Sequence, residues 1–345
     1  MPDVFSVKKK EDNMVSIRDV AKHAGVAIST VSKVVNNYPN VSEETKKKVN
    51  ASIKELNFIP NTIASALSSK QAGRVALLMN LSAQIQSIDE IGMQYLVGAI
   101  DECRELGLDV ITVFHSVIRD KSVEEMEQYF RSQSISGIII FGMSKEDKNL
   151  QKLIEAQSFK IVTVDAPYVN EHTSSVWIDQ KAAQKDVAKK TIMENAGNRS
   201  DRILYISGKD NGYITQDRTA AMKELAEEMG LKLTIYCGEF SEYQARKITF
   251  QHAKEHDIIV CASDMMAIGA MKALIEMDIF KPVCGFDGIT LMGYVGKQMY
   301  TVQQDFASIS TEAVKELARL MNGGGGSNIV LPHEIVRIRY EDIIL

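Results

Sequence analysis

The chain is poor in the residues that brace or equip specialised proteins. It has four cysteines, Cys103, Cys237, Cys261 and Cys284, far apart and at no metal or redox spacing. That excludes a disulfide scaffold and a zinc module, and reads as small buried hydrophobes in a reducing compartment. Six histidines are scattered with no metal pairing. No window approaches the ~18 continuous apolar residues of a membrane span. The first ten residues hold no apolar signal core, so the expected location is the cytoplasm, with no membrane partner. No Gly-x-Gly-x-x-Gly follows a strand, and neither a phosphate loop nor a Gly-x-Ser-x-Gly elbow is found. Nothing supplies a nucleophile, base, metal or cofactor at recognisable spacing. The expectation is a protein that binds rather than catalyses, without cofactor.

What is present is a long, ordinary globular composition with uneven charge. At 345 residues the chain exceeds one compact core and allows two or three domains. Residues 1–60 hold ten Lys/Arg against seven Asp/Glu, a net +3, whereas the remainder carries −8. A mildly basic head on an acidic body fits a separate nucleic-acid-binding domain.

Residues 1–13 show neither a helical nor a strand period and are expected to be disordered. Order begins at Ser16, where Ser16-Ile17-Arg18-Asp19 fits a capping box and Ile17, Val20, Ala21 and Ala24 form a helical apolar stripe. Gly25 ends that helix, and another follows within about three residues, the helix-turn-helix pattern. The second helix turns Val31, Val34 and Val35 inward and Ile28, Ser29, Ser32 and Lys33 outward. Short polar groups and one cation on an exposed helix front suit the DNA major groove. Ser42 caps a third helix, with Glu43 and Glu44 at its positive end and Val49, Ile53 and Leu56 buried.

Val15-Ser16-Ile17-Arg18-Asp19-Val20-Ala21, Ala24-Gly25-Val26, Thr30-Val31-Ser32-Lys33-Val34-Val35-Asn36 and Leu56-Asn57-Phe58-Ile59-Pro60-Asn61 run without gaps. Together they resemble the head of the lactose/galactose-repressor family of bacterial transcription regulators. The resemblance implies that Ile28, Ser29 and Lys33 face bases, while Ser16, Thr30, Ser32, Asn36 and Ser42 mainly hold phosphates, which sets register. Ala27 stands where relatives often cap the helix with serine. Pro60 breaks the chain after the head. In the family the segment that follows is a hinge that becomes helical on DNA and enters the minor groove as a pair; Asn61, Ala64 and Leu67 occupy its positions, Leu67 as the wedge between bases.

From residue 74 onward, apolar strand-like runs at 75–79, 110–114, 137–141, 160–164, 202–206, 233–237, 258–260 and 283–286 alternate with helix-length segments. That alternation predicts parallel sheets covered on both faces, in two doubly wound halves with a ligand cleft between strand ends. The family resemblance extends over this body. It implies a two-lobed, type I periplasmic-binding-protein-like core crossed three times by the chain, and an effector held by Arg218 and Asp287, with Phe240 stacking and Ser263 and Asp165 reaching the cleft. A fork donor and a two-oxygen acceptor suit sugar hydroxyls. Ser263 replaces a frequent asparagine, and residues 80–86 lack the aromatic-rich loop of relatives.

The expected organisation is thus an α/β chain: leader 1–13, all-α helix-turn-helix head 14–59, hinge 60–73 and core 74–345. The core is expected to place its N-lobe at about 74–165 and 302–323, and its C-lobe at about 166–301 and 324–345. The expected function is a repressor that binds near-palindromic double-stranded operator DNA as a homodimer, under control of a carbohydrate effector. Two alternatives stand beside it: control by a protein corepressor, and a solute-binding protein without regulatory DNA binding. If the hinge reading holds, Leu67→Ala weakens operator binding in a duplex titration and leaves effector binding intact; equal operator affinity in both proteins would refute it.

Overall fold

Side chains close the starts of two helices in the first unit. Three helices, α1 (Ile17–Ala24), α2 (Ile28–Val35) and α3 (Glu43–Glu55), share a core of Val20, Ala21, Val31, Val34 and Val49. The capping box at α1 is formed: the Asp19 N–H donates to Ser16 Oγ at 3.4 Å and the Ser16 N–H to Asp19 Oδ2 at 2.9 Å. Gly25 adopts φ 65° at the turn, a left-handed conformation that costs a residue without Cβ little. Ser42 Oγ accepts the Thr45 N–H at 3.3 Å and so caps α3.

The computed structural model describes residues 15–35, 41–56, 58, 73–80, 90–195, 201–295 and 298–338. The chain divides into two units between residues 72 and 73. The leader 1–13, Asn36 and the hinge residues Asn61, Ala64 and Leu67 lie outside the described residues.

The second unit holds two six-stranded sheets. The first comprises β1 (Arg74–Met79), β2 (Asp109–Phe114), β3 (Ile135–Ile140), β4 (Lys160–Val164), β5 (Thr173–Ile178) and β11 (Asn328–Leu331), in the order β11-β5-β4-β3-β1-β2. All of its pairings are parallel. Helices α4 (Glu90–Glu105), α5 (His115–Ile118), α6 (Val123–Ser132) and α7 (Lys148–Glu155) connect its strands. The second sheet comprises β6 (Arg202–Ser207), β7 (Lys232–Cys237), β8 (Ile258–Cys261), β9 (Val283–Cys284), β10 (Tyr300–Gln303) and β12 (Glu334–Arg337), ordered β12-β10-β9-β8-β6-β7. Only β12 runs antiparallel, against β10. Between these strands lie α8 (Gln180–Glu194), α9 (Tyr213–Met229), α10 (Glu242–His252), α11 (Asp264–Glu276) and α12 (Phe306–Met321). Near-continuous burial of β1, β3, β4, β6 and β8 is what parallel strands covered on both faces require.

The lobe boundaries differ from the sequence expectation. Residues 173–178 form β5 in the first sheet, so the chain leaves the N-lobe at the start of α8 rather than at 165. It returns only after β10, whose residues 302 and 303 belong to the C-lobe, and β11 lies in the N-lobe although 324–345 was assigned to the C-lobe. The chain thus crosses three times, at about 179, 304 and 332. Hydropathy hides β5 because Thr173, Ser174 and Ser175 are buried polar residues. Their burial is tolerable because partners are present: Ser175 Oγ donates to the Ala166 carbonyl at 2.8 Å and Ser174 Oγ to Glu316 Oε1 at 2.5 Å.

Glu316, on α12, joins three pieces that sequence separates widely. Besides Ser174 on β5 it accepts from Ser327 Oγ at 2.6 Å and from Arg319 at 2.6 and 2.7 Å. Burial pushes its carboxyl up, yet these donors outweigh burial and hold it below the ordinary range. Glu316→Ala leaves two hydroxyls without their acceptor and is expected to destabilise the core by about 2–3 kcal/mol. A urea midpoint unchanged from the parent would show that the crossing is held by other means.

Candidate functional site

The head exposes a short helix front. Ile28, Ser29 and Lys33 on α2 are exposed, and Thr30 and Ser32 are half-buried beside them. Ile28 is 46% accessible, so it is not a core residue despite its chemistry. The first turn of α2 has no acidic side chain, which leaves its positive end open to anions. Ser16 and Ser42 are exposed at the starts of α1 and α3, with their hydroxyls engaged in capping. Lys46 and Lys48 pair with Glu43 and Glu44 on their own helix.

In the core unit the two lobes meet around one guanidinium. Arg218, on α9, is only 2% exposed. Its Nε donates to Gln180 Oε1 at 2.9 Å, and Nη1 donates to the Ala262 carbonyl at 2.5 Å and lies 3.7 Å from Asp287 Oδ1. The plane stacks 3.5 Å from the ring centroid of Phe286. Gln180 is the pivot: it heads α8, where the chain changes lobes, and its Nε2 donates to Asp165 Oδ1 at 2.9 Å. Asp165 follows β4 in the other lobe and also accepts from Tyr95 Oη at 3.4 Å. Gln304, at the second crossing, donates to Asp287 Oδ1 at 3.2 Å.

Three of the five residues assigned to the effector from sequence, Asp165, Arg218 and Asp287, therefore share one network. The other two stand apart from it. Phe240 lies against Gly208, where a Cβ would collide with the far edge of its ring. Ser263 Oγ accepts the Met266 N–H at 3.3 Å and is used as the cap of α11. Asp165, Phe240 and Asp287 have φ of 57°, 58° and 129°, backbone conformations that side chains rarely adopt and that the surrounding structure must enforce. Sequence reasoning missed Gln180, Gln304 and Tyr95, because amides and phenols carry no motif of their own. It also missed the role of Asp264, which accepts N–H bonds from Gly288 at 2.7 Å and Ile289 at 2.9 Å and so shapes the Asp287 loop. A Cβ on Gly285 would collide with the Asp264 carboxylate, which is why the triplet Gly285-Phe286-Asp287 begins with glycine.

Two cavities open in the core unit, and the smaller adjoins this network. One, of about 370 Å³, lies against Asp165 and Gln180 and has Trp177, Tyr213, Asp217 and Asn328 in its wall. The other, of about 860 Å³, includes Asn80, His115, Arg119 and Lys148 of the N-lobe and Lys209 and Asn211 of the C-lobe. Near them the lobes are pinned by the Ser144–Gly212 bridge, a Tyr168–Tyr213 hydroxyl bond of 2.6 Å and a contact between Lys145 and Gln216. Elsewhere along the seam, the Thr290 N–H and hydroxyl donate to Glu90. Among the described residues no cluster of His, Cys, Asp and Glu has the grouping of a metal site, and no helix is long and apolar enough to cross a membrane. Cys103, Cys261 and Cys284 are buried as expected, whereas Cys237 is exposed.

Burial dominates the electrostatics of the network. It pushes the Asp287 carboxyl up to about 8 against the pull of Arg218, and Asp264 to about 6 against its hydrogen bonds. Asp287 thus ionises in the unfolded chain near its ordinary 3.8 and in the folded protein only near 8. Between those values folding takes up a proton, so this contribution to stability is full below the lower value, falls as pH rises, and is gone above the upper one. Asp287→Asn should flatten the decline of the urea midpoint across that window. A slope equal to the parent's would mean that Asp287 is ionised throughout.

With this geometry in place, comparison with known proteins gives a consistent result. The family described as bacterial regulatory proteins, lacI family, matches residues 16–61, and the periplasmic binding protein domain family matches residues 82–325. Catabolite control protein A of Staphylococcus aureus (strain MRSA252) is 30% identical over 336 residues, covering 93% of this chain and 97% of that protein. The ribose operon repressor of Halalkalibacterium halodurans is 30% identical over 314 residues, covering 86% and 88%. The solved lac repressor dimer bound to operator and the anti-inducer ONPF shares the fold, with a TM-score of 0.78 at 23% identity over 94% of this chain and 98% of that one. A transcriptional regulator CelR–cellobiose complex gives 0.67 at 22% identity, over 94% and 99%. The chain belongs to the lacI family of bacterial regulatory proteins and is a DNA-binding regulator of transcription.

Proposed function

We propose that this regulator represses transcription by binding near-palindromic operator DNA as a homodimer in the bacterial cytoplasm, and that a carbohydrate held between the lobes sets its affinity for that DNA. The observation that carries the ligand half of this reading is the buried Arg218 network. A guanidinium bracketed by Asp165 and Asp287 across a lobe seam is a set of donors and acceptors suited to a polyhydroxylated ligand. The 370 Å³ cavity beside it is within the range of small-ligand pockets. Trp177 and Tyr213 offer it apolar faces, which sugars also present on their C–H side. Similar proteins agree in kind: one is a ribose operon repressor, and one solved neighbour is complexed with cellobiose.

On the DNA half, Ile28, Ser29 and Lys33 read base edges in the major groove, and Ser16, Thr30, Ser32, Asn36 and Ser42 hold phosphates. Asn61, Ala64 and Leu67 act in the minor groove as the hinge. Two symmetric heads require a dimer, and each lobe has exposed apolar residues that support one. Met93, Val97 and Ile100 line one face of α4 in the N-lobe, and Tyr243, Ile275 and Phe280 are exposed in the C-lobe.

Ligand and operator then act on one equilibrium of lobe closure, and the coupling is reciprocal, typically about 5- to 150-fold in affinity. A thermal-shift screen of carbohydrates identifies a ligand, because one that binds the folded state raises its stability. The expected result is that this ligand changes affinity for an operator duplex in an anisotropy titration, and that Arg218→Gln and Trp177→Ala each abolish the change while leaving ligand-free operator binding within about threefold. An operator affinity indifferent to every stabilising ligand, or an unaltered response in both variants, would refute the carbohydrate reading.

A further inference from the structure

The wall of the smaller cavity carries charge of only one sign. Its charged side chains are Asp165 and Asp217, both carboxylates, and no Lys, Arg or His lines it. Each lobe supplies one carboxylate together with one ring: Asp165 and Trp177 from the N-lobe, Tyr213 and Asp217 from the C-lobe. Tyr213 and Asp217 stand four residues apart on α9, and so share one face of that helix. Both rings are held in place. Trp177 Nε1 donates to Asn328 Oδ1 at 2.6 Å, and Tyr213 Oη is bonded to Tyr168 Oη at 2.6 Å. The carboxylates, by contrast, are short of positive charge. Among the described residues neither Asp165 nor Asp217 forms an ion pair, and Gln180 stands between Asp165 and Arg218. Of the lysines nearby, Lys145 contacts Gln216 and Lys181 pairs with Glu224 at 2.6 Å. Burial and the neighbouring Asp179 hold the Asp217 carboxyl above its ordinary range, against the pull of those two lysines. Burial does the same for Asp165, against Arg218, Gln180 and Tyr95.

From this we infer that the sugar bound in this cavity is an amino sugar, whose free ammonium is balanced by Asp165 and Asp217 and packs against the rings of Trp177 and Tyr213. The inference rests on the reading of the cavity as the carbohydrate site, and adds to it the charge of the ligand. An ammonium is a compact triple donor, which carboxylates accept in strong, charge-assisted bonds. Indole and phenol faces attract it further. Asn328 Nδ2, which the bond to Trp177 does not use, is left to donate to a ring hydroxyl. A cavity of about 370 Å³ lies near the low end of small-ligand pockets, which suits one sugar ring better than a chain. An acidic or phosphorylated sugar does not suit it, because it would bring like charge to two carboxylates. Since each lobe contributes one carboxylate, an ammonium held by both draws the lobes together.

The test is calorimetric titration of the full chain with matched sugars: glucosamine, glucose and N-acetylglucosamine, and the corresponding galactose and mannose sets. Ethanolamine serves as an amine without a sugar ring. The expected result is that in one set the free amine binds more tightly than both the hydroxyl and the acetylated form, by about tenfold or more. Its affinity alone should fall as salt rises. Asp217→Asn should shrink the ratio of amine to hydroxyl affinity by about tenfold, the usual cost of losing one charge-assisted bond. Asp165→Asn should shrink it too, and thermal midpoints of both variants serve as the check on folding. Neutral sugars binding as tightly as their amines would overturn the charge assignment and leave the carbohydrate reading standing. Ethanolamine binding as tightly as the amino sugars would overturn the carbohydrate reading instead. No binding of any amine, or a ratio unaltered in both variants, would overturn the ammonium site itself.

Discussion

Burying a guanidinium is costly, by several kcal/mol even after relaxation, unless its charge and every donor find partners. Arg218 offsets part of that cost with groups from several elements: Gln180 at the start of α8, the Ala262 carbonyl after β8, and Asp287 and the Phe286 ring after β9. Asp165 completes the circuit from the N-lobe through Gln180. The direct partners of Arg218 all belong to the C-lobe, and the N-lobe joins the network through Asp165, which takes a bond from Gln180 and one from Tyr95. Asp165 and Asp287 are held in left-handed conformations because their carboxylates must turn back from strand ends toward one point.

The remaining contacts between lobes are of a different kind. The Ser144–Gly212 bridge, the Tyr168–Tyr213 bond and the Thr290–Glu90 bonds are polar and close to solvent. Each is worth little net free energy, since water replaces it when it breaks. The apolar core is far larger than these latches, and one cluster of it runs from Val75 and Leu77 in the N-lobe to Tyr205 and Phe286 in the C-lobe. Breaking the polar latches costs little compared with unfolding either lobe. The three crossing segments set the limits of movement between the lobes, and Glu316 anchors α12 and β11 to β5 so that two of the crossings depart from a rigid base.

Legibility in the sequence followed the range of the interaction. The head could be read almost completely, because its caps and apolar stripes join residues three or four apart: Ser16 to Asp19, Ser42 to Thr45. The apolar parallel strands could be read as continuous hydrophobic runs. Strand β5 could not, because its Thr173, Ser174 and Ser175 are buried by hydrogen bonds to Ala166 and Glu316, which no local pattern announces. In the site, Arg218, Asp165 and Asp287 were found by their place in a family resemblance and do converge. Phe240 and Ser263 were found in the same way, but packing on Gly208 and capping of α11 account for their positions.

The sequence by itself determined the class of the molecule, its two-part organisation and the outward face of α2, since these rest on periodicity, capping and charge along short stretches. It also predicted a ligand cleft between strand ends. Only the tertiary structure decided which side chains meet. The crossings at about 179 and 304 bring Gln180 and Gln304 to Arg218 and Asp287. Those partners lie 38 and 17 residues apart in sequence, and their distance is set by how two sheets share three connections, a property of topology that no neighbouring residues encode.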